Sequence, residues 1–211
     1  MSSCPSHIQQ KIEQIVGKNV SRETFSRLEK YLAFVIQENE KYNLIGPKEV
    51  DRLWERHVLD SAQLFPFVQN CGGFLDVGSG AGFPGVVLSV LGAAGGCLVE
   101  SSHKKCSFLK NVSRETLSDF SVRCERVEQM RGVSFNRIVS RAVAPIERCL
   151  LWTRGVSSPN TQWFFLKGKT VEEEISVALK SFSFELDLFP SVTSEEGKVV
   201  RIQEVIFLGP L

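Results

Sequence analysis

No apolar stretch in this chain approaches the roughly 20 residues that a membrane-crossing helix requires, and the opening MSSCPSHIQQKIEQ lacks a basic-then-apolar leader pattern. These absences predict a cytoplasmic protein with no membrane partner. Histidine is scarce, with only His7, His57 and His103, so no metal centre is expected. The six cysteines (Cys4, Cys71, Cys97, Cys106, Cys124, Cys149) include no CxxC pair, which argues against both a zinc knuckle and a secreted disulfide framework. Net charge is almost absent as well: 25 Lys and Arg stand against 24 Asp and Glu. Internal repeats and low-complexity linkers are missing too.

The overall balance hides an asymmetry. Between Ser101 and Arg154 there are 11 basic residues against 5 acidic ones, and the rest of the chain carries 14 against 19. Such a distribution suits an anionic partner meeting one face, although a solvated helix face accounts for the charge equally well. With 211 residues, 43% of them hydrophobic, one substantial core is expected rather than two full domains. Residues 1–70 read as an N-terminal helical extension and 71–211 as an α/β domain, the two forming one compact unit. Nothing in the pattern marks an oligomer seam, so a monomer is expected.

Ile8, Ile12, Ile15 and Val16 recur at helical spacing. SRET at 21–24 then opens a second helix whose stripe is Phe25, Leu28, Leu32, Val35 and Ile36. A third helical stretch follows Gly46 and Pro47. From Phe74 the rhythm changes. FLDV, CLVE, FSVRC, FNRIVS and WFFLK are short apolar runs separated by amphipathic segments such as HKKCSFLKNVSRETL, which implies a mostly parallel sheet covered on both faces. SFELDLF and VVRIQEVIFL are separated only by PSVTSEEGK, too little for a crossover helix, so an antiparallel hairpin at the sheet edge closes the chain.

The stretch FLDVGSGAGFPGVVL packs Gly78, Gly80, Gly82 and Gly85 directly behind the first strand. In a parallel sheet that turn lies at the strands' carboxyl ends, where ligands bind, and glycine lets backbone approach a ligand closely. GAGFPG from Gly80 matches the dinucleotide pattern GxGxxG, with Glu100 twenty residues on. DVGSGAG from Asp76 matches the loop of the S-adenosylmethionine (AdoMet)-dependent methyltransferases, with the same Glu100 at the end of the second strand. About seventy helical residues in front of the glycine strand, and a strand pair at the end, favour the second reading. A nicotinamide oxidoreductase and a non-catalytic ribosome-binding module are the alternatives.

KYNLIG at 41–46, RHVLDS at 56–61, LDVGSGAGFPG at 75–85, LVESSHKKCSFL at 98–109, RVE at 126–128, SRAVA at 140–144 and LKGK at 166–169 together resemble one family, the bacterial 16S ribosomal RNA guanine-N7 methyltransferases known as RsmG or GidB. The resemblance implies a class I AdoMet-dependent methyltransferase fold, Rossmann-like, and methyl transfer to N7 of a guanine in the 530 loop of 16S rRNA or of the small ribosomal subunit. It further implies that Gly78 and Phe83 lie against AdoMet, that Glu100, Ser101 and Ser102 take its ribose and adenine side, and that Val127 and Glu128 flank the adenine. Arg141 would close the site, and Lys105, Arg126 and Arg141 match positions tied to activity. Ile45 departs from the family's usual Thr and Asn136 from its usual Asp.

Guanine N7 carries an in-plane lone pair and loses no proton before it attacks. No strong general base is therefore needed, and alignment carries the catalysis. An Arg bound to N7 would block the reaction, so Arg141 is expected on O6, a phosphate or the AdoMet carboxylate. Lys104, Lys105, Lys110, Arg114 and Arg123 are candidate phosphate contacts, with Lys167 a further one. His57, Asp60 and Ser61 share a helical face. They are expected to hold the front helices over the cofactor site rather than to form a nucleophilic triad.

Overall fold

The computed structural model describes residues 3–209. Helices α1 (Ser6–Val16) and α2 (Arg22–Tyr42) come first. The Ser21 side chain accepts the Thr24 N–H at the start of α2, one of the four donors that a helix start leaves unpaired. Residues Pro47–Arg52 form a tight 3-10 turn and Trp54–Leu59 a wide π-helical turn, before the short α3 (Asp60–Ala62) and α4 (Phe65–Val68). The third helical stretch is thus broken, and a π turn of this kind recurs at functional sites.

The α/β part runs β1 (Phe74–Val77), α5 (Gly85–Val90), β2 (Gly96–Glu100), α6 (His103–Thr116), β3 (Phe120–Cys124), β4 (Arg137–Arg141), α7 (Ile146–Thr153), β5 (Gln162–Lys167), α8 (Val171–Ala178), β6 (Phe182–Pro190) and β7 (Lys198–Phe207). All seven expected strands form, within one or two residues of the quoted runs. Their order is β3-β2-β1-β4-β5-β7-β6. Pairings from β3 through β5 are parallel, and β7 is antiparallel to both β5 and β6. Strand order reverses at β1 and β4, where such sheets bind ligands.

Side chains alternate across the sheet and divide the interior in two. Phe74, Leu98, Val139 and Phe164 face a core shared with α1, α2, the broken helix, α5 and α6. Leu75, Val99, Ile138 and Phe165 face the other core, under α7, α8 and the hairpin. The front helices are therefore part of one of the two layers that cover the sheet. Asn136, the departure before β4, bonds Ser158 and Gln162 and so pins the turn that leads into β5.

Candidate active site

Among the four glycines behind β1, two roles separate. A Cβ on Gly78 would strike Val143, and Gly80 opens onto unoccupied space, its nearest neighbour being the Gly78 carbonyl at 3.8 Å. Both have positive φ, +69° and +56°. By contrast, a Cβ on Gly82 would meet Val86 at 2.5 Å and the Tyr31 hydroxyl at 2.9 Å, and one on Gly85 would meet Asp76 at 2.6 Å. Gly80 leaves backbone bare towards the cavities, whereas Gly78, which also lines them, is held to glycine by Val143. The second pair lets the loop and α5 sit against the core.

Two cavities meet at this loop. The smaller, about 380 Å³, is walled by Gly78, Gly80, Glu100, Ser101, Lys105, Arg126, Val127 and Glu128. The larger, about 690 Å³, lies between the broken helix and the hairpin and is walled by residues that include Ile45, Glu49, Arg56, His57, Phe83 and Lys198. Gly78, Gly80, Arg141 and Ala142 line both. Ala142 itself holds φ +51°, a left-handed conformation that is costly for a residue with a Cβ.

Glu100 ends β2 with its carboxylate beside the loop. Its Oε2 accepts the Gly80 N–H at 3.0 Å, and its Oε1 accepts the Ser102 N–H at 2.8 Å. Two backbone amides thus hold an acceptor pair at the cavity wall. Ser102 sits at the N-terminus of α6 and its amide is spent on Glu100. Phe83 is buried among Tyr31, His57 and Arg141 and borders the larger cavity, not the smaller. Asp76 is fully buried beneath the loop. Its Oδ2 accepts the Gly85 N–H at 3.1 Å and its Oδ1 has no partner; burial pushes its pKa up to about 7.

Arg141, at the end of β4, is held by the front helices. It donates to the Arg56 carbonyl at 3.0 Å and to His57 Nδ1 at 2.7 Å, stands 3.8 Å from the Asp60 carboxylate, and lies over the Phe83 ring. Because a guanidinium only donates, His57 Nδ1 must be the acceptor and the proton sits on Nε2. His57 is neutral in this state, its pKa pushed down to about 4 by burial and then by Arg141. Ser61 Oγ donates to the His57 carbonyl. His57 and Asp60 thus join the broken helix to β4 through Arg141, Ser61 bonds within the broken helix, and Asp60 also accepts from Thr193 Oγ1 at 2.7 Å in the hairpin loop.

Several candidates have other duties. Lys167 is buried, donating to the Ala144 carbonyl at 2.6 Å and pairing with Glu174 at 2.7 Å, which takes it away from any phosphate. Arg123 pairs with Glu125 at 2.7 Å. Lys104, Lys110, Arg114 and Arg126 stay exposed. Sequence reasoning overlooked Glu49, Arg56 and the loop at 191–197. They reach the site only because the hairpin folds back over the broken helix, through Val192 N–H to Gln63 at 2.8 Å as well as Thr193. Among the described residues no cluster of His, Cys, Asp and Glu could hold a metal ion, and no helix is long and apolar enough to cross a membrane.

A family model described as rRNA small subunit methyltransferase G, GidB, matches residues 24–200. The chain is 39% identical over 194 residues to the ribosomal RNA small subunit methyltransferase G of Paramagnetospirillum magneticum, covering 92% of this chain and 95% of that protein. It is 33% identical over 185 residues to the protein of the same name from Gluconobacter oxydans, covering 88% and 96%. Among solved structures it is similar to the magnesium protoporphyrin IX methyltransferase of Synechocystis PCC 6803 with bound SAM (TM-score 0.57, 14% identity, 87% of this chain and 98% of that one). A ribosomal protein L11 methylase from Lactobacillus delbrueckii subsp. bulgaricus is comparable (TM-score 0.57, 14% identity, 71% and 78%). These two likenesses establish the methyltransferase fold.

Proposed function

Since the chain belongs to the rRNA small subunit methyltransferase G family, we propose that it transfers the methyl group of AdoMet to N7 of a guanine in the 530 loop of 16S rRNA. The observation that carries this is the meeting of two cavities at one seam, Gly78, Gly80, Arg141 and Ala142. A cofactor in one and a base in the other would touch there.

The residues fit AdoMet. Gly80 leaves room for it with Gly78 on the same wall, Glu100 offers a carboxylate to the ribose hydroxyls, Ser101 borders the same wall with Ser102 behind it, and Val127 and Glu128 flank the adenine. Lys105 and Arg126 stand at the rim of that cavity. When bound, the cofactor supplies an electrophilic methyl on sulfur. The chain's own contribution is orientation: Arg141, held by His57, Arg56 and Asp60, keeps a fixed positive charge at the seam while leaving N7 free to react. Phe83 supports Arg141 from below. A held pair of reactants replaces a bimolecular encounter, the largest gain available where no proton must move.

The target base must leave its stack to enter the larger cavity. Lys104, Lys110, Arg114 and Arg126, exposed on the α6 and β3 side, neutralise neighbouring phosphates. In this reading residues 1–70 act as the RNA-facing wall of a methyltransferase unit at 71–211, and the protein works as a cytoplasmic monomer without a metal. Incubation with AdoMet and small subunits lacking the modification, followed by borohydride and aniline strand cleavage, tests it. One new cleavage in the 530 loop is expected; AdoMet binding without any cleavage would reopen the substrate.

A further inference from the structure

The larger cavity contains a polar atom with nothing to bond. His57 is 3% exposed, its Nδ1 is committed to Arg141, and its Nε2 has no hydrogen-bond partner. The tautomer that Arg141 enforces makes that orphan an N–H donor. Leaving a buried donor unpaired is costly, and such an exception calls for a ligand or a movement that satisfies it.

Glu49 stands beside it. Its Oε1 lies 3.6 Å from His57 Nε2, beyond hydrogen-bond range. Its Oε2 accepts the Gly46 N–H at 3.0 Å. The Glu49 side chain is 43% exposed in the short turn Pro47–Arg52, and for a base to reach Nε2 its Oε1 must turn aside while Oε2 stays on the Gly46 N–H. The two side chains then present a donor and, next to it, the two acceptor oxygens of a carboxylate.

We propose that His57 and Glu49 read the Watson–Crick edge of the target base, His57 Nε2–H donating to O6 and the Glu49 carboxylate accepting N1–H and the exocyclic N2–H. The order donor, acceptor, acceptor on the protein selects one base. Guanine offers an acceptor followed by two donors. Adenine and cytosine begin that edge with a donor amine, which would meet the His57 N–H. Uracil matches the first two positions and then sets its O2 against the carboxylate. Edge recognition of this kind leaves N7, on the opposite side of the ring, unobstructed. The inference rests on the methyltransferase reading above and deepens it, since the donor pattern arrives at guanine by its own route.

The test uses the full-length protein and small subunits reconstituted with rRNA carrying either guanosine or inosine at the target. Inosine keeps O6, N1–H and N7 and lacks only the N2 amine. Wild type should lose roughly 10- to 100-fold in kcat/KM on inosine, the scale of one hydrogen bond to a charged group. Glu49→Gln, which retains an acceptor for Gly46 and exchanges one oxygen for a donor, should lose a similar factor on guanosine and discriminate little between the two bases. AdoMet affinity should stay as in wild type in both comparisons. Equal rates of wild type on guanosine and inosine, or a Glu49→Gln loss of the same size on both, would overturn the proposal and leave the methyltransferase reading standing. Failure of wild type to modify guanosine at all would remove that reading and this inference with it.

Discussion

Gly82→Ala should damage the protein far more than a surface glycine does. Gly82 holds φ +103°, a conformation that costs a side-chain-bearing residue about 1–3 kcal/mol. The new methyl would lie 2.5 Å from Val86 Cγ2, 2.9 Å from the Tyr31 hydroxyl and 3.2 Å from Leu109 Cδ2; overpacking of this kind costs about 1–3 kcal/mol. Tyr31 cannot retreat freely, because it is fully buried and donates to the Ala81 carbonyl at 2.7 Å. Loss of glycine's freedom in the unfolded chain returns about 0.4–1 kcal/mol. The net destabilisation is therefore about 1–5 kcal/mol, or a fall in Tm of roughly 2–20 °C for a chain of this size. Gly17→Ala is the control, since Gly17 has φ +72° at the end of α1 and nothing within 4 Å. It should show the backbone term alone, about 1–2 kcal/mol. Urea unfolding of both variants measures the difference. If Gly82→Ala costs no more than Gly17→Ala, the claim that this glycine is needed for packing fails. AdoMet affinity should fall as well, because the displaced loop carries Gly78 and Gly80.

Glu100→Gln should weaken AdoMet binding about 10- to 100-fold through loss of charged acceptors, read by calorimetry, with little change in RNA affinity. Binding to the target RNA should drop steeply with salt, and removing the exposed Lys110 should lower the slope of log K against log salt by about 0.7–0.9; an unchanged slope would take Lys110 off the RNA path. Acid stability offers a separate check on the buried titratable groups near Arg141. His57 has its pKa pushed down to about 4, so the neutral form is favoured by folding. Its contribution is complete above the unfolded value near 6.5 and is lost as pH falls towards 4. Asp76, raised to about 7, and Asp60, raised by burial, act in the opposite sense and cost stability as pH rises from about 4. Wild type should therefore stay flat or decline between pH 4 and 6.5, whereas Asp76→Asn should gain about 2–3 kcal/mol over the same window. Parallel pH profiles for the two proteins in urea unfolding would contradict this balance.

Much of this was legible in the order of residues. Strands announce themselves by short apolar runs, and the alternation that sends Phe74 to one core and Leu75 to the other follows from the twofold repeat of an extended chain. Gly78 and Gly80 could be placed at a strand's carboxyl end because a parallel sheet puts its ligand loops there. Glu100 followed from its position at the end of the next strand. These are local patterns, and sequence records them directly.

The larger cavity is another matter. Its walls come from Glu49 and His57 in the broken helix, from Arg141 at the end of β4 and from the hairpin loop near Thr193, so the residues that meet are up to about 150 positions apart. No periodicity links them. Lys167 read as a free cation until Glu174 and the Ala144 carbonyl were seen to enclose it. Phe83, which the resemblance places against AdoMet, borders the larger cavity beneath Arg141, a placement that no local pattern records. The sequence by itself determined the sheet, its covering helices and the bare backbone behind β1, because those depend on neighbours within a turn or a strand. Only the tertiary structure decided which nitrogen of His57 carries its proton, because that depends on Arg141, which stands 84 residues further along the chain and meets His57 only in the fold.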